Sequence, residues 1–82
     1  MQDYKLLLYF EDVETDAIHH ALGDIERILL QPPHSYISQV EELKSNIIWD
    51  ITLCTTPAAL KRACDSTHNN LNIKTYYVAT LC

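Results

Sequence analysis

The chain has 82 residues, and its 48% of hydrophobic and 21% of charged residues are typical of a folded domain rather than of a disordered chain. Its net charge of −5 argues against nucleic acid as the main partner, because such binding needs clustered Lys and Arg. No apolar run approaches the roughly 20 residues of a membrane span, and the N-terminus lacks a signal-peptide pattern. We therefore predict a single α/β domain over 1–82, with a cytoplasmic location and free cysteines.

The first predicted strand is the run from Tyr4 to Phe10, which is short and almost continuously apolar, a pattern typical of a strand covered on both faces. From Ala17 to Leu29 the apolar residues recur every three or four positions, which predicts an amphipathic helix. Asp12 or Thr15 is its expected cap, and Pro32-Pro33 ends it. Inside this helix lies Gly23, for which we expect close packing as the reason.

The middle of the chain is harder to assign. The segment Ser38-Gln39-Val40-Glu41 matches a capping box, and this favours a short helix from about Tyr36 to Ser45. The stretch His34 to Ser38 is compatible with either a strand or a helix.

Three further elements follow. Ile47 to Cys54 is rich in β-branched and aromatic residues, which predicts a strand. Thr56 as cap and Pro57 at the first helical position predict a helix to about His68. A last strand is predicted over 73–80. Because helices separate the predicted strands, we expect a small α/β fold of three-layer type, with about three to four mostly parallel strands and helices packed on the sheet faces.

Cys54 is the main candidate for chemistry. In an open parallel sheet, reactive groups collect where strands end and the following helices begin. A helix N-terminus stabilises a thiolate, and Lys61 and Arg62, one turn into the helix, would add positive charge. The alternative is that Cys54 is a small buried residue that closes a strand.

Acidic residues follow the first predicted strand and are expected at the same sheet edge as Cys54: Glu11, Asp12, Glu14 and Asp16. They form either a solvated loop at a helix start or a catalytic carboxylate group. The four histidines lack the spacing of a metal site, no Cys-x-x-Cys occurs, and one glycine cannot make a phosphate-binding loop. We therefore predict neither a metal nor an organic cofactor.

Part of the chain resembles the DsrE-like sulfur-relay family. The resemblance covers roughly residues 35–81 and rests on three segments, Tyr36-Ile37-Ser38-Gln39-Val40-Glu41-Glu42-Leu43, Trp49-Asp50-Ile51-Thr52-Leu53-Cys54 and Ala58-Ala59-Leu60-Lys61-Arg62. It implies that Cys54 accepts sulfur as a persulfide and passes it between a donor and an acceptor protein. Thr55, Thr56, Lys61 and Arg62 would then bind substrate or assist electrostatically. The resemblance implies either a sulfurtransferase or a sulfur carrier, so whether the chain is an enzyme is left open.

The rival hypothesis is a small acidic protein-binding module, such as an inhibitor or immunity-type protein without catalytic activity. Its candidate contacts are Glu11, Asp12, Glu14, Asp16, Glu41 and Glu42, with exposed tyrosines as anchors. A third option is an oligomerising domain without chemistry, since so short a chain buries a thin core. Every hypothesis predicts a protein partner, with homo- or hetero-oligomers expected.

Overall fold

The protein is a four-stranded sheet with two helices, seen in a computed structural model that describes residues 1–45 and 47–81. Its elements are β1 (Gln2–Phe10), α1 (Thr15–Leu29), β2 (Tyr36–Lys44), β3 (Ile48–Thr55), α2 (Pro57–Asn69) and β4 (Ile73–Leu81). The strand order is β2-β3-β1-β4, and every neighbouring pair is antiparallel. This βαββαβ arrangement is the ferredoxin-like α+β fold.

The predicted mostly parallel α/β sheet is wrong because one element was misassigned. The predicted helix from Tyr36 to Ser45 is the strand β2, which pairs with β3 as a hairpin. The hairpin reverses the chain once more, so β3 runs against β1. The capping-box motif does not cap a helix; the Ser38 hydroxyl instead donates to the carbonyl oxygen of Thr52 at 3.1 Å across the hairpin. Tertiary pairing has overridden the local signal.

The helices also pack on the sheet differently from the prediction. Both helices pack on one face, hereafter the helical face, so the molecule has two layers rather than three. The opposite face, hereafter the open face, has no helix on it. The core between sheet and helices contains the buried residues Tyr4, Leu6, Leu8, Phe10, Ile18, Ala21, Leu22, Ile25, Leu29, Trp49, Ile51, Leu53, Leu60, Ala63 and Ile73.

The predicted helix in the first half is confirmed as α1, which begins at Thr15 with Glu14 as a cap that makes no side-chain hydrogen bond. Its apolar stripe packs on the helical face. The expected close packing at Gly23 is wrong, because a Cβ added there would meet no atom within 4 Å. Glycine costs about 1 kcal/mol relative to alanine inside a helix, and no contact among residues 1–45 and 47–81 requires it here.

The second helix is confirmed as predicted. The Thr56 hydroxyl oxygen accepts a hydrogen bond from the backbone N–H of Ala59 at 3.2 Å, and Pro57 occupies the first turn. Just before it, the buried Thr55 hydroxyl donates to the carbonyl oxygen of Leu29 at 2.8 Å, which joins the end of β3 to the end of α1. Neither α1 nor α2 is long and apolar enough to cross a membrane.

Candidate functional site

The open face is made by the side chains that point away from both helices. In β1 the even-numbered residues from Tyr4 to Phe10 are buried in the core, so the odd-numbered ones lie on the open face. The strand registers extend this assignment across the sheet. The open face thus comprises Asp3, Lys5, Leu7 and Tyr9 of β1, Ile48, Asp50, Thr52 and Cys54 of β3, Tyr36, Gln39, Glu41 and Lys44 of β2, and Thr75, Tyr77, Ala79 and Leu81 of β4.

An ion pair occupies the centre of the open face, on its two middle strands. Lys5 Nζ lies 3.0 Å from Asp50 Oδ2, and the side chains are 45% and 9% exposed, respectively. The other carboxylate oxygen, Asp50 Oδ1, is buried and has no hydrogen-bond partner among the described residues. Buried carboxylate oxygens are normally paired, because burying an unpaired polar atom is costly. One acceptor site at the centre of this face is therefore unused.

Tyrosines and aliphatic residues surround the ion pair. Leu7 lies directly between Asp50 on β3 and Tyr77 on β4 in the strand register. The Tyr77 side chain is 66% exposed, and Tyr36 on β2 is 54% exposed. Tyr9 is half-buried next to Ile48. The face therefore combines exposed aromatic area, which is enriched in protein-binding surfaces, with a central charged pair.

Cys54 lies near one end of the open face, opposite Asp3 of β1 and Tyr36 of β2. Loss of hydration raises the pKa of its thiol, and a hydrogen bond and the negative charge of Asp3 raise the pKa further. The N-terminal charge and Tyr36 oppose these effects in part. The thiolate is thus disfavoured, whereas the sequence predicted an activated thiol.

The alternation of side chains between the two faces of β3 explains this difference. Thr55, one residue later, is fully buried on the helical face, so Cys54 points the other way, away from α2 and its N-terminus. The exposed Lys61 and Arg62 lie on α2, on the opposite side of the sheet from Cys54. Thr55 and Thr56 serve as the tie to α1 and the cap of α2. The structure therefore does not assemble these residues into one site.

The acidic residues are also separated from Cys54. Because β1 and β3 are antiparallel, Glu11 follows β1 at the opposite end of the sheet from Cys54, so the expected common edge is wrong. Glu11 forms an ion pair with Lys74, and that bond and charge raise the pKa of Lys74. Asp12, Glu14 and Asp16 are exposed at the start of α1, and Glu42 is exposed at a position paired with Trp49. Of the six predicted contacts, Glu41 alone lies on the open face.

The outer surface of α1 carries the remaining polar cluster. A broad depression there is lined by Asp16, His19, His20, Gly23 and Arg27. The His19 ring meets the Trp49 ring edge-on, with centroids 5.8 Å apart. Within the described ranges, no group of three or more His, Cys, Asp or Glu side chains could hold a metal ion.

Comparisons with known proteins show the fold. No protein-family model and no curated protein matches the chain. The crystal structure of 30S ribosomal protein S6 from Thermotoga maritima is similar with a TM-score of 0.70 and 14% identity, over 98% of this chain and 87% of that one. SnoaB, a cofactor-independent oxygenase from Streptomyces nogalater, is similar with a TM-score of 0.61 and 9% identity, over 98% and 89%. At these identities the likeness concerns the fold alone.

These findings correct the expected DsrE-like α/β sulfur-relay protein. The chain has an S6-like α+β fold with an antiparallel sheet, and neither similar structure points to that family or to sulfur relay. The parallel strand end that would have activated Cys54 is absent from the described sheet.

The sequence analysis missed Lys5, Asp50 and Tyr77 as site residues. One signal was present, since Asp50 is the single charged residue in the apolar run from Ile47 to Leu53. A charge within a buried strand is rarely tolerated without a partner. The position of Lys5 beside it depends on the strand register, which the misassigned β2 concealed.

Proposed function

We propose that this chain is a small protein-binding module without catalytic activity, and that the open face is its binding surface. The observation that carries the proposal is the buried Asp50 Oδ1, which has no hydrogen-bond partner among the described residues and lies at the centre of the sheet face opposite the two helices. A partner that supplies a hydrogen-bond donor there would satisfy this oxygen while it buries the surrounding tyrosines.

The sequence of β1 supports the same surface. Its run from Tyr4 to Phe10 is almost continuously apolar, a pattern typical of strands covered on both faces. The helices cover one face, and Leu7 and Tyr9 remain on the other. A bound partner would provide the second cover that this pattern indicates.

The proposal assigns Cys54 to the rim of the surface rather than to catalysis. Its raised pKa keeps the thiol protonated near neutral pH, which is unfavourable for a nucleophile. Cys54 and Cys64 are both free thiols. Free thiols suit a reducing compartment, and we place the protein in the cytoplasm on this ground.

Affinity capture tests the proposal, with the tagged chain as bait and both an extract of the source cells and an untagged second copy as prey. Tyr77→Arg places a charge on the open face and should abolish capture. Leu71→Arg is the matched control, because Leu71 is fully exposed in the turn before β4, away from that face. Leu71→Arg and Cys54→Ser should capture as well as the unchanged chain. Capture that is identical for Tyr77→Arg and Leu71→Arg would overturn the proposal.

A further inference from the structure

We infer that the partner of the open face is a second copy of this chain, packed sheet against sheet so that Lys5 of each copy donates to Asp50 Oδ1 of the other. The inference rests on the proposed function, since it names the occupant of the same surface.

The arrangement of the two charges carries the inference. Lys5 pairs with Thr52 in the register and Asp50 pairs with Leu7, so the two residues are diagonal neighbours on the central strands. Two sheets that face each other can be related by a two-fold axis that lies in the plane between them. We place this axis midway between Lys5 and Asp50, at right angles to the line that joins the two residues. This axis places each Lys5 over the other copy's Asp50, which produces a ring of four alternating charges and an isologous interface.

The hydrogen-bonding capacity of the pair fits this ring. A lysine ammonium has three donors, and that of Lys5 forms an ion pair with Asp50 Oδ2 of its own chain, with 3.0 Å between Nζ and Oδ2. Lys5 is still 45% exposed, so a donor is available toward the facing copy. The acceptor that this donor would meet, Asp50 Oδ1, has no partner within the described part of a single chain. Because this oxygen is buried in a single chain, the side chains around it must shift as the two faces meet.

At the central ion pair, charge complementarity favours a second copy over a partner of one sign; Asp3, Glu41 and Lys44 lie further out on the same face. A purely basic surface would meet Lys5 with like charge, and a purely acidic one would meet Asp50 with like charge. A suitable partner presents both signs at the same spacing, and the open face of another copy does so.

The size of the face is adequate for association. Four strands about 4.8 Å apart and roughly eight to nine residues long give a face of roughly 19 by 28 Å, or about 500 Å² in projection. Side-chain relief raises the accessible area above this value, toward the roughly 800 Å² per partner of a standard interface. The exposed Tyr77 and Tyr36 would supply anchors near its two edges.

The first experiment measures mass by sedimentation of the purified full chain from micromolar to millimolar concentration. The unchanged chain should reach the mass of two copies, and Leu71→Arg should match it. Tyr77→Arg should weaken association at least tenfold. A chain that stays monomeric at millimolar concentration, or a Tyr77→Arg variant that associates like Leu71→Arg, would overturn the inference.

A charge exchange tests the residue pairing. Lys5→Asp leaves two acidic residues at the centre of the face, and Asp50→Lys leaves two basic ones, so each variant alone should be monomeric. An equimolar mixture should form mixed dimers, because the two centres are then complementary. Mixed dimers support the pairing, and a mixture of variants that both fold yet stay monomeric overturns it.

Asp50→Asn provides a second measurement if Asp50→Lys fails to fold, since Asn keeps the shape of the side chain. It should weaken dimerisation at least tenfold, whereas Asp65→Asn, the same exchange at an exposed position of α2 on the other side of the sheet, should leave it unchanged. Equal dimerisation of the two variants would overturn the pairing.

The two proposals fail in distinguishable ways. If the chain is monomeric but captures another protein in a Tyr77-dependent manner, the second-copy inference is overturned and the proposed function stands. If neither self-association nor capture depends on Tyr77, both are overturned.

Discussion

The helical face and the open face are built from alternate residues of the same strands, yet they differ in how completely one chain satisfies them. On β1, Leu6 and Leu8 are fully buried under the helices, whereas Lys5 between them remains 45% exposed. On β3, Ile51 is fully buried, and the adjacent Asp50 is nearly as buried, but its Oδ1 has no hydrogen-bond partner in the part of the chain that the structure describes. A single chain therefore completes its apolar core, but on the open face its described residues leave one buried carboxylate oxygen without a hydrogen-bond donor.

The largest expected effect on the free energy of unfolding distinguishes Leu8 from Leu7. These are adjacent residues of the same type on opposite faces of the sheet. Leu8→Ala should lower the free energy of unfolding by about 2–5 kcal/mol, because it creates a cavity under the helices. Leu7→Ala should cost about 1 kcal/mol or less in dilute monomer, because Leu7 is half-buried on the open face.

Urea unfolding followed by circular dichroism measures both values. Equal losses at the two positions would show that the open face is packed within the monomer, against the distinction drawn between the faces.

A smaller effect is expected for a pair of threonines on β3. Thr55→Val removes the hydroxyl that donates to the Leu29 carbonyl and should lower the free energy of unfolding by about 1–2 kcal/mol. Thr52→Val, on the open face, should change it by no more than about 0.5 kcal/mol. Thermal unfolding of dilute samples measures the difference, and a Thr52→Val loss as large as that of Thr55→Val would contradict it.

The smallest expected effect concerns the pH dependence of Cys54, measured in a Cys64→Ala/Cys82→Ser variant. The folded pKa is raised above the ordinary value of 9.0, so the folded state holds its proton more tightly than the unfolded state. The associated stability is present below pH 9 and is lost as the pH rises through the folded pKa. Iodoacetamide should therefore react more slowly with the folded chain than with the same chain in denaturing urea.

Asp3→Asn separates charge from access in that experiment. It removes the carboxylate that helps to raise the Cys54 pKa and should increase the alkylation rate at pH 8. Asp65→Asn is the control, because Asp65 acts on Cys64 and not on Cys54. An unchanged rate in Asp3→Asn would show that shielding alone controls the thiol.

The comparison between the helical face and the open face also explains which features the sequence could predict. The stripe of α1 and the Thr56-Pro57 start of α2 were predictable because both signals are local and tertiary contacts agree with them. The strand β2 was not predictable, because its exposed residues do not alternate between apolar and polar ones and its capping-box motif is typical of a helix start. The proposed binding surface was missed for a related reason. The contact between Lys5 and Asp50 joins residues 45 positions apart, and it exists only in the antiparallel register.

The two register shifts in the edge strand β2, at Ile37/Gln39 and Glu42/Lys44, have a consequence for aggregation. A bulged edge bends and loses the regular row of free backbone groups that another strand would need to extend the sheet. The charged side chains of Glu41 and Lys44 make such an extension less favourable still. Addition of a further strand at the β2 edge of the sheet is thereby discouraged.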